Sequence, residues 1–241
     1  TSVHPEPSQP STPRIAAYTD GSCFKNRQVT HNTPAGWGYF IENRNLETIT
    51  TAFGPVITEQ TNPLWIGAKV GSNNTGELQA LGELALYITH QLNTTHKIIT
   101  GYDSKIAANL ARGIWKPKKN KEIARYVRML YKKVMKTHQI TWKWIKGHDN
   151  NPGNEIADRL AKQGCRGETH NTRDMWDDNT ATNITTDLDE QINKTATTLE
   201  DTEQFIKIIT DTAREVFGEK TTKTRKPWIT QKTIDLINTQ Q

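Results

Sequence analysis

Four acids, Asp20, Glu77, Asp103 and Asp158, stand out because each lies in or at the edge of an apolar stretch. Asp20 closes IAAYTD, Glu77 opens ELQALGELALYITHQL, Asp103 follows KIITGY, and Asp158 lies within NEIADRLAKQG. A side chain at such a place is held by a rigid element yet can face a loop. Taken singly, an acid at a strand end is more often a turn or cap residue. Gathered in one place, four carboxylates repel unless cations neutralise them. Oxygen ligands with no His or Cys among them suit Mg2+, and two such ions can clamp the attacking and leaving oxygens of a phosphodiester as water attacks in line.

The elements that would have to gather these acids can be read from periodicity. IAAYTD, AGWGYFIE from Ala35 and LETITTAF from Leu46 are strand-like runs separated by Asn, Thr, Pro and Gly clusters, which predicts three strands in an antiparallel meander. Leu78, Leu81, Leu84, Ala85 and Ile88 fall at helical spacing, and KIITGYD after them is a short buried strand. A helix between two strands implies a crossover that makes the next strand parallel, so Asp20 and Asp103 would end neighbouring strands. SKIAANLA, a second helix carrying Ile123, Val127, Leu130 and Val134, the strand QITWKWIKGH, and a last helix ended by Gly164 complete the order βββαβααβα. That order predicts an α/β fold with a mixed five-stranded sheet, three strands antiparallel and then two parallel, with helices on both faces.

Residues 1–13 are rich in Pro, Ser and Thr without periodicity and are expected to be a disordered leader ahead of a domain spanning 14–168. Residues 169–198 have the Thr, Asp and Asn composition of a linker, and 199–241 are expected to be helical. The chain starts at Thr1 with no Met, which fits a piece of a longer polypeptide and a chosen boundary equally well. No stretch approaches the roughly 18 apolar residues of a membrane span, and no basic flank with an apolar run marks a secretory signal. A cytoplasmic or nuclear, unsecreted protein is therefore expected, without a membrane partner. Cys23 and Cys165 have no metal-ligand spacing, so neither a zinc site nor a disulfide framework is supported.

The net charge of +5 conceals an asymmetry. Residues 1–168 hold 22 Lys/Arg against 13 Asp/Glu, whereas 169–241 hold 9 against 13. A basic front half suits a polyanion. Between Lys105 and Lys136 eleven Lys/Arg face a single acid, Glu122, interleaved with Trp115 and Tyr126, too lopsided for an ordinary solvated helix face.

YTDGSCFKN at 18–26, SNNTGEL at 72–78, GYDS at 101–104 and KGHDNNPGNEIADRLA at 146–161 together resemble, in order, the motifs of the type 1 ribonucleases H. The resemblance implies a ribonuclease H-like fold over about 14–167 and a hydrolase that cuts the RNA strand of RNA/DNA hybrids. It implies that Asp20, Glu77, Asp103 and Asp158 hold two Mg2+, with Mn2+ a substitute, and that His148 assists proton transfer or product release. An isolated His in a loop would otherwise be a surface residue. Asn73 and Asn74 resemble readers of the 2′-hydroxyl, and Asn26 and Ser72 match positions that meet the DNA-strand phosphate, although ordinary turn chemistry explains the same residue types. Trp115, with Lys118 and Lys119, is a candidate contact to the DNA strand, and burial in the core is an equal alternative for Trp115.

Two departures from the family pattern stand out. RGIWKPKKNKE is shorter than the basic handle of bacterial and animal members, and residues 54–71 are a long insertion expected to be a surface loop, with Trp65 and Lys69 as its possible substrate contacts. The stretch from Glu203 to Ile237 is similar in pattern to segments beside the reverse transcriptases of non-LTR retroelements, which would make such a protein a partner; otherwise it is a helical pair that docks elsewhere. A monomer is expected. Two other readings are a hybrid-binding module that has lost turnover and a DNA-cutting nuclease of the same fold, and the intact acid set and the GH loop argue against each.

Overall fold

The computed structural model describes residues 12–147, 150–171 and 173. The expected leader up to residue 11, most of the linker, and the C-terminal helices lie outside the described residues, as does His148.

The elements run β1 (Arg14–Cys23), β2 (Ala35–Asn43), β3 (Thr48–Pro55), α1 (Asn73–Gln91), β4 (Lys97–Tyr102), α2 (Lys105–Ala111), α3 (Lys121–Thr137), β5 (Gln139–Trp144) and α4 (Pro152–Cys165). This is the order read from the sequence. The sheet is ordered β3-β2-β1-β4-β5, with β1, β2 and β3 antiparallel and β1, β4 and β5 parallel. The parallel strands are joined through helices, as a crossover requires.

Alternation along β2 shows how the two faces are used. Trp37, Tyr39 and Ile41 point into the main core with Leu78, Leu81 and Leu84 of α1 and Ile123, Val127 and Leu130 of α3. The residues between them turn to α4, which lies so close that a Cβ on Gly36 would stand 2.0 Å from the Cys165 nitrogen. Only glycine permits that approach. Helix α1 is buried on every side between sheet and helices from Thr75 to Leu86, its polar Thr75, Glu77, Gln79 and Glu83 included, whereas α3 buries one stripe and turns its Lys and Arg residues outward.

The insertion at 54–71 is not a surface loop. Trp65 is 5% exposed and Ile66 and Ala68 are fully buried in the core, and the Trp65 indole donates to the Ala68 carbonyl at 2.6 Å. Lys69 is paired with Glu122 of α3 at 2.8 Å. The insertion thus fastens to α3, and Trp65 is unavailable to a substrate.

The chain also stays on the domain beyond residue 168. His170 exchanges backbone hydrogen bonds with Phe53 of β3 at 2.8 and 2.9 Å, and Arg173 then reaches Glu83 of α1. Arg173 is 4% and Glu83 3% exposed; the guanidinium holds both carboxylate oxygens, Nε at 2.7 Å from Oε2, and Gln79 donates to Oε1 at 2.7 Å. Removing one partner of such a pair strands a buried charge at a cost of about 3–5 kcal/mol. Arg173→Ala should therefore lower the unfolding free energy by about that amount, with Arg173→Ala/Glu83→Gln recovering part of it in urea titrations. An Arg173→Ala loss below about 0.5 kcal/mol would place Arg173 elsewhere.

Candidate active site

β1 and β4 run in parallel with Thr19 opposite Tyr102, so Asp20 and Asp103 follow the last paired residue of each; Asp20 does not close its strand as expected, because pairing with β2 carries β1 on to Cys23. The third acid arrives on α1. Ser72 caps that helix by accepting the Thr75 N–H at 3.1 Å, while the Thr75 hydroxyl accepts the Ser72 N–H at 2.8 Å. The helix can start against β1 because Gly21 has no side chain: a Cβ there would lie 2.1 Å from the Glu77 nitrogen. Gly21 in turn donates its N–H to Asp20 Oδ1 at 2.7 Å.

One carboxylate oxygen from each of Asp20, Glu77 and Asp103 lies within 4.8 Å of the others. Asp20 is 6% and Glu77 8% exposed. Burial, followed by the charges of Asp103 and Asp158, pushes the Asp20 carboxyl up to about 7. Glu77 is driven well above the usual carboxylate range by burial first and then by Asp20 and Asp103, to both of which it is hydrogen-bonded. Asp103 is raised by burial, opposed by the Glu77 hydrogen bond and by the N–H groups of Asp103 and Ser104 directed at its carboxylate. Asp103 Oδ1 is buried with no hydrogen-bond partner.

Asp158 stands apart from this trio. It lines the same cavity, of about 340 Å³, but its Oδ2 is paired with Lys162 one turn along α4 at 2.6 Å. Two further residues of α4, Asn154 and Glu155, also line the cavity and were not singled out from the sequence. Asn154 is buried with Oδ1 unpartnered. Spacing held the only signal, since Glu155 is three residues from Asp158 and so shares its helix face.

Asn73 lines the cavity, and Asn74 beside it is exposed on the first turn of α1. The Asn26 side chain accepts the Asn73 N–H at 3.1 Å, and the Ser72 hydroxyl is buried in the helix cap. Both therefore shape the start of α1, which delivers Asn73 and Glu77. Trp115 is 47% exposed on the α2–α3 connection with Lys118 and Lys119, which excludes its burial in the core. These three are not among the cavity's lining residues.

A mixed sheet with one acid inside a strand just past its parallel pairing, a second just beyond the end of the neighbouring strand and a third on the crossover helix defines an α/β enzyme site built for cation chemistry. Residues 12–166 match the RNase H family, so the chain belongs to that family and is a ribonuclease H, a hydrolase. A ribonuclease H of Rickettsia massiliae is 31% identical over 153 residues, 63% of this chain and 90% of the relative. One of Ruegeria pomeroyi is 30% identical over 168 residues, 64% of this chain and 94% of the relative. The crystal structure of LC9-RNase H1, described as a type 1 RNase H with the type 2 active-site motif, shares the fold at a TM-score of 0.50 and 21% identity, covering 67% of this chain and 77% of that one.

A carboxyl whose folded pKa is raised stabilises the fold fully below its unfolded value, about 3.9 for Asp. That stabilisation is lost as pH rises through about 7 for Asp20. In EDTA, the melting temperature should therefore fall between pH 5.5 and 8, and Asp20→Asn should remove part of the fall, at about 2–4 °C per kcal/mol of relieved cost of charging a buried carboxyl beside other acids. Parallel pH curves for the two proteins would show that Asp20 carries no such cost.

Proposed function

We infer that the chain cleaves the RNA strand of RNA/DNA hybrids by two-metal-ion hydrolysis, leaving 5′-phosphate and 3′-hydroxyl ends. One observation carries the reading: two buried carboxylates and a half-buried third, within 4.8 Å, have mainly one another for company. The donor set is all oxygen, and Asp103 Oδ1 is buried without a partner, so these residues fit a hard divalent cation such as Mg2+, with Mn2+ a substitute. Asp20, Glu77 and Asp103 would hold it, and Asp158, on releasing Lys162, would help to hold a second. When bound, such ions lower the pKa of a water and neutralise charge gathering on the phosphoryl oxygens.

The chain's own residues supply the rest. Glu77 and Asp20 must lose their protons before they can ligate, so cation affinity rises with pH across the neutral range. His148 assists proton transfer or product release. Asn73, at the cavity wall, and Asn74 offer amides to a 2′-hydroxyl, the group that distinguishes RNA from DNA. Trp115 and the exposed Lys118 and Lys119 engage the DNA strand, lysine through phosphate and tryptophan through sugar. The segment from 199 onward would meet a reverse transcriptase or another retroelement protein, with the chain itself a monomer.

A labelled hybrid incubated with and without Mg2+, beside duplex DNA and duplex RNA, tests this directly. Mg2+-dependent loss of the hybrid's RNA strand alone is expected, with fragments bearing 5′-phosphate and with loss of activity in Asp20→Asn. Tight hybrid binding without cleavage would instead identify a binding module. Lys118→Gln/Lys119→Gln should flatten the dependence of log affinity on log salt by about 0.9 for each phosphate no longer neutralised; an unchanged slope would remove both lysines from the interface.

A further inference from the structure

Trp144 is the last residue of β5, an outermost strand whose residues are largely open to solvent. It pairs with Tyr102 of β4, and the Ile145 N–H closes the ladder on the Tyr102 carbonyl at 2.8 Å. Asp103, one residue beyond, lies past the end of strand pairing. Yet its main-chain carbonyl is engaged: the Trp144 indole N–H donates to it at 3.2 Å.

The Trp144 ring is 46% exposed, so core packing is a weak explanation for its presence. Its face carries the Lys105 ammonium, 4.0 Å from the ring centre. The indole therefore contacts the chain on both sides of Ser104: the Asp103 carbonyl by hydrogen bond and the Lys105 side chain by cation–π attraction.

The Asp103 carbonyl and the Ser104 N–H belong to one planar peptide unit and turn together. The Asp103 side chain leaves the α-carbon to which that carbonyl is joined. Holding the carbonyl thus fixes the main-chain torsion at Asp103 and with it the direction in which the carboxylate leaves the chain. Phenylalanine could supply the ring surface but no N–H.

We propose that Trp144 is a positioning residue for the acid cluster, its indole N–H fixing the 103–104 peptide and through it the carboxylate that Asp103 offers to a divalent cation. The proposal rests on the cation-dependent reading of the site given above. It assigns the indole to cation affinity, separate from nucleic-acid affinity. Partners one step behind a ligand typically alter metal affinity or activity by about 10–100-fold.

Trp144→Phe in the full chain, compared with the parent, provides the test. Calorimetric titration with Mg2+ alone should shift to higher concentration by about tenfold, and the Mg2+ concentration for half-maximal hybrid cleavage should rise in step. KM for hybrid at saturating Mg2+ should stay within about twofold, and the melting temperature in EDTA within about 2 °C, as for a mild surface substitution. Superimposable Mg2+ titrations would overturn the proposal. So would a loss confined to KM, which would make Trp144 a nucleic-acid contact, or a loss that tracks a large fall in melting temperature, which would make it structural. If the parent cleaves nothing, the functional reading fails by itself, and the calorimetric comparison alone decides; a parent that binds no Mg2+ ends both.

Discussion

The withdrawal of neighbouring carboxylates from water is the constraint around which this domain is organised. Asp20, Glu77 and Asp103 come from two strands and a helix, the first two buried and the third half-buried, where water screens them poorly. All three carboxyls are pushed above the usual carboxylate range by burial first, and Asp20 and Glu77 further by the charges of their neighbours. The core supplies the opposing stability. Trp37, Tyr39, Tyr131 and the leucines of α1 are almost wholly removed from water, and the parallel pairing of β1 with β4, which ends at Thr19 and Tyr102, brings the next residue of each strand, Asp20 and Asp103, side by side.

Helix α1 carries two buried acids, and their contrast is instructive. Glu83 has a guanidinium on both oxygens and an amide besides, supplied by Arg173 and Gln79. Glu77, six residues and about 9 Å earlier along the same helix, has Asp20 and Asp103. One acid is neutralised within the chain and the other meets more acid. The same helix therefore joins a closed electrostatic unit to an open one, and the closed unit, reached by the segment after α4, helps to hold the open one in place.

Much of this was legible in the sequence because it leaves a periodic or positional trace. The change from period 2 to period 3.6 carries the element order, and four acids beside apolar runs point to a carboxylate cluster, of which the structure groups Asp20, Glu77 and Asp103 and sets Asp158 apart. What stayed hidden depends on single long-range contacts. Arg173 and Glu83 are 90 residues apart, and one Arg in a Thr- and Asp-rich tract looks like linker. Trp65 lies among Thr, Asn, Pro and Gly, so its burial had no pattern to announce it. Trp144 sits correctly in an alternating strand, but nothing in alternation tells an indole bonded to a carbonyl from one packed on a core. Ser72 and Asn26 carried a motif resemblance, and the structure adds that their side chains hold the start of the helix that presents Asn73 and Glu77.

The separation of charge over the surface gives the site its final logic. Lys118 and Lys119 stand on the α2–α3 connection and are not among the residues lining the acidic cavity. A polyanion is thus attracted at one place and repelled at the other. On the hydrolytic reading, affinity arises largely away from the reacting phosphate, and the acids contribute only after cations have reversed the cavity's charge. Grip and chemistry then respond to different conditions: grip weakens with added salt as counterions compete, whereas chemistry follows the proton and cation occupancy of three carboxylates. On the same reading, the lysines proposed to attract the phosphates and the acids that must first be neutralised are different residues, so grip and cutting are separable properties of one surface.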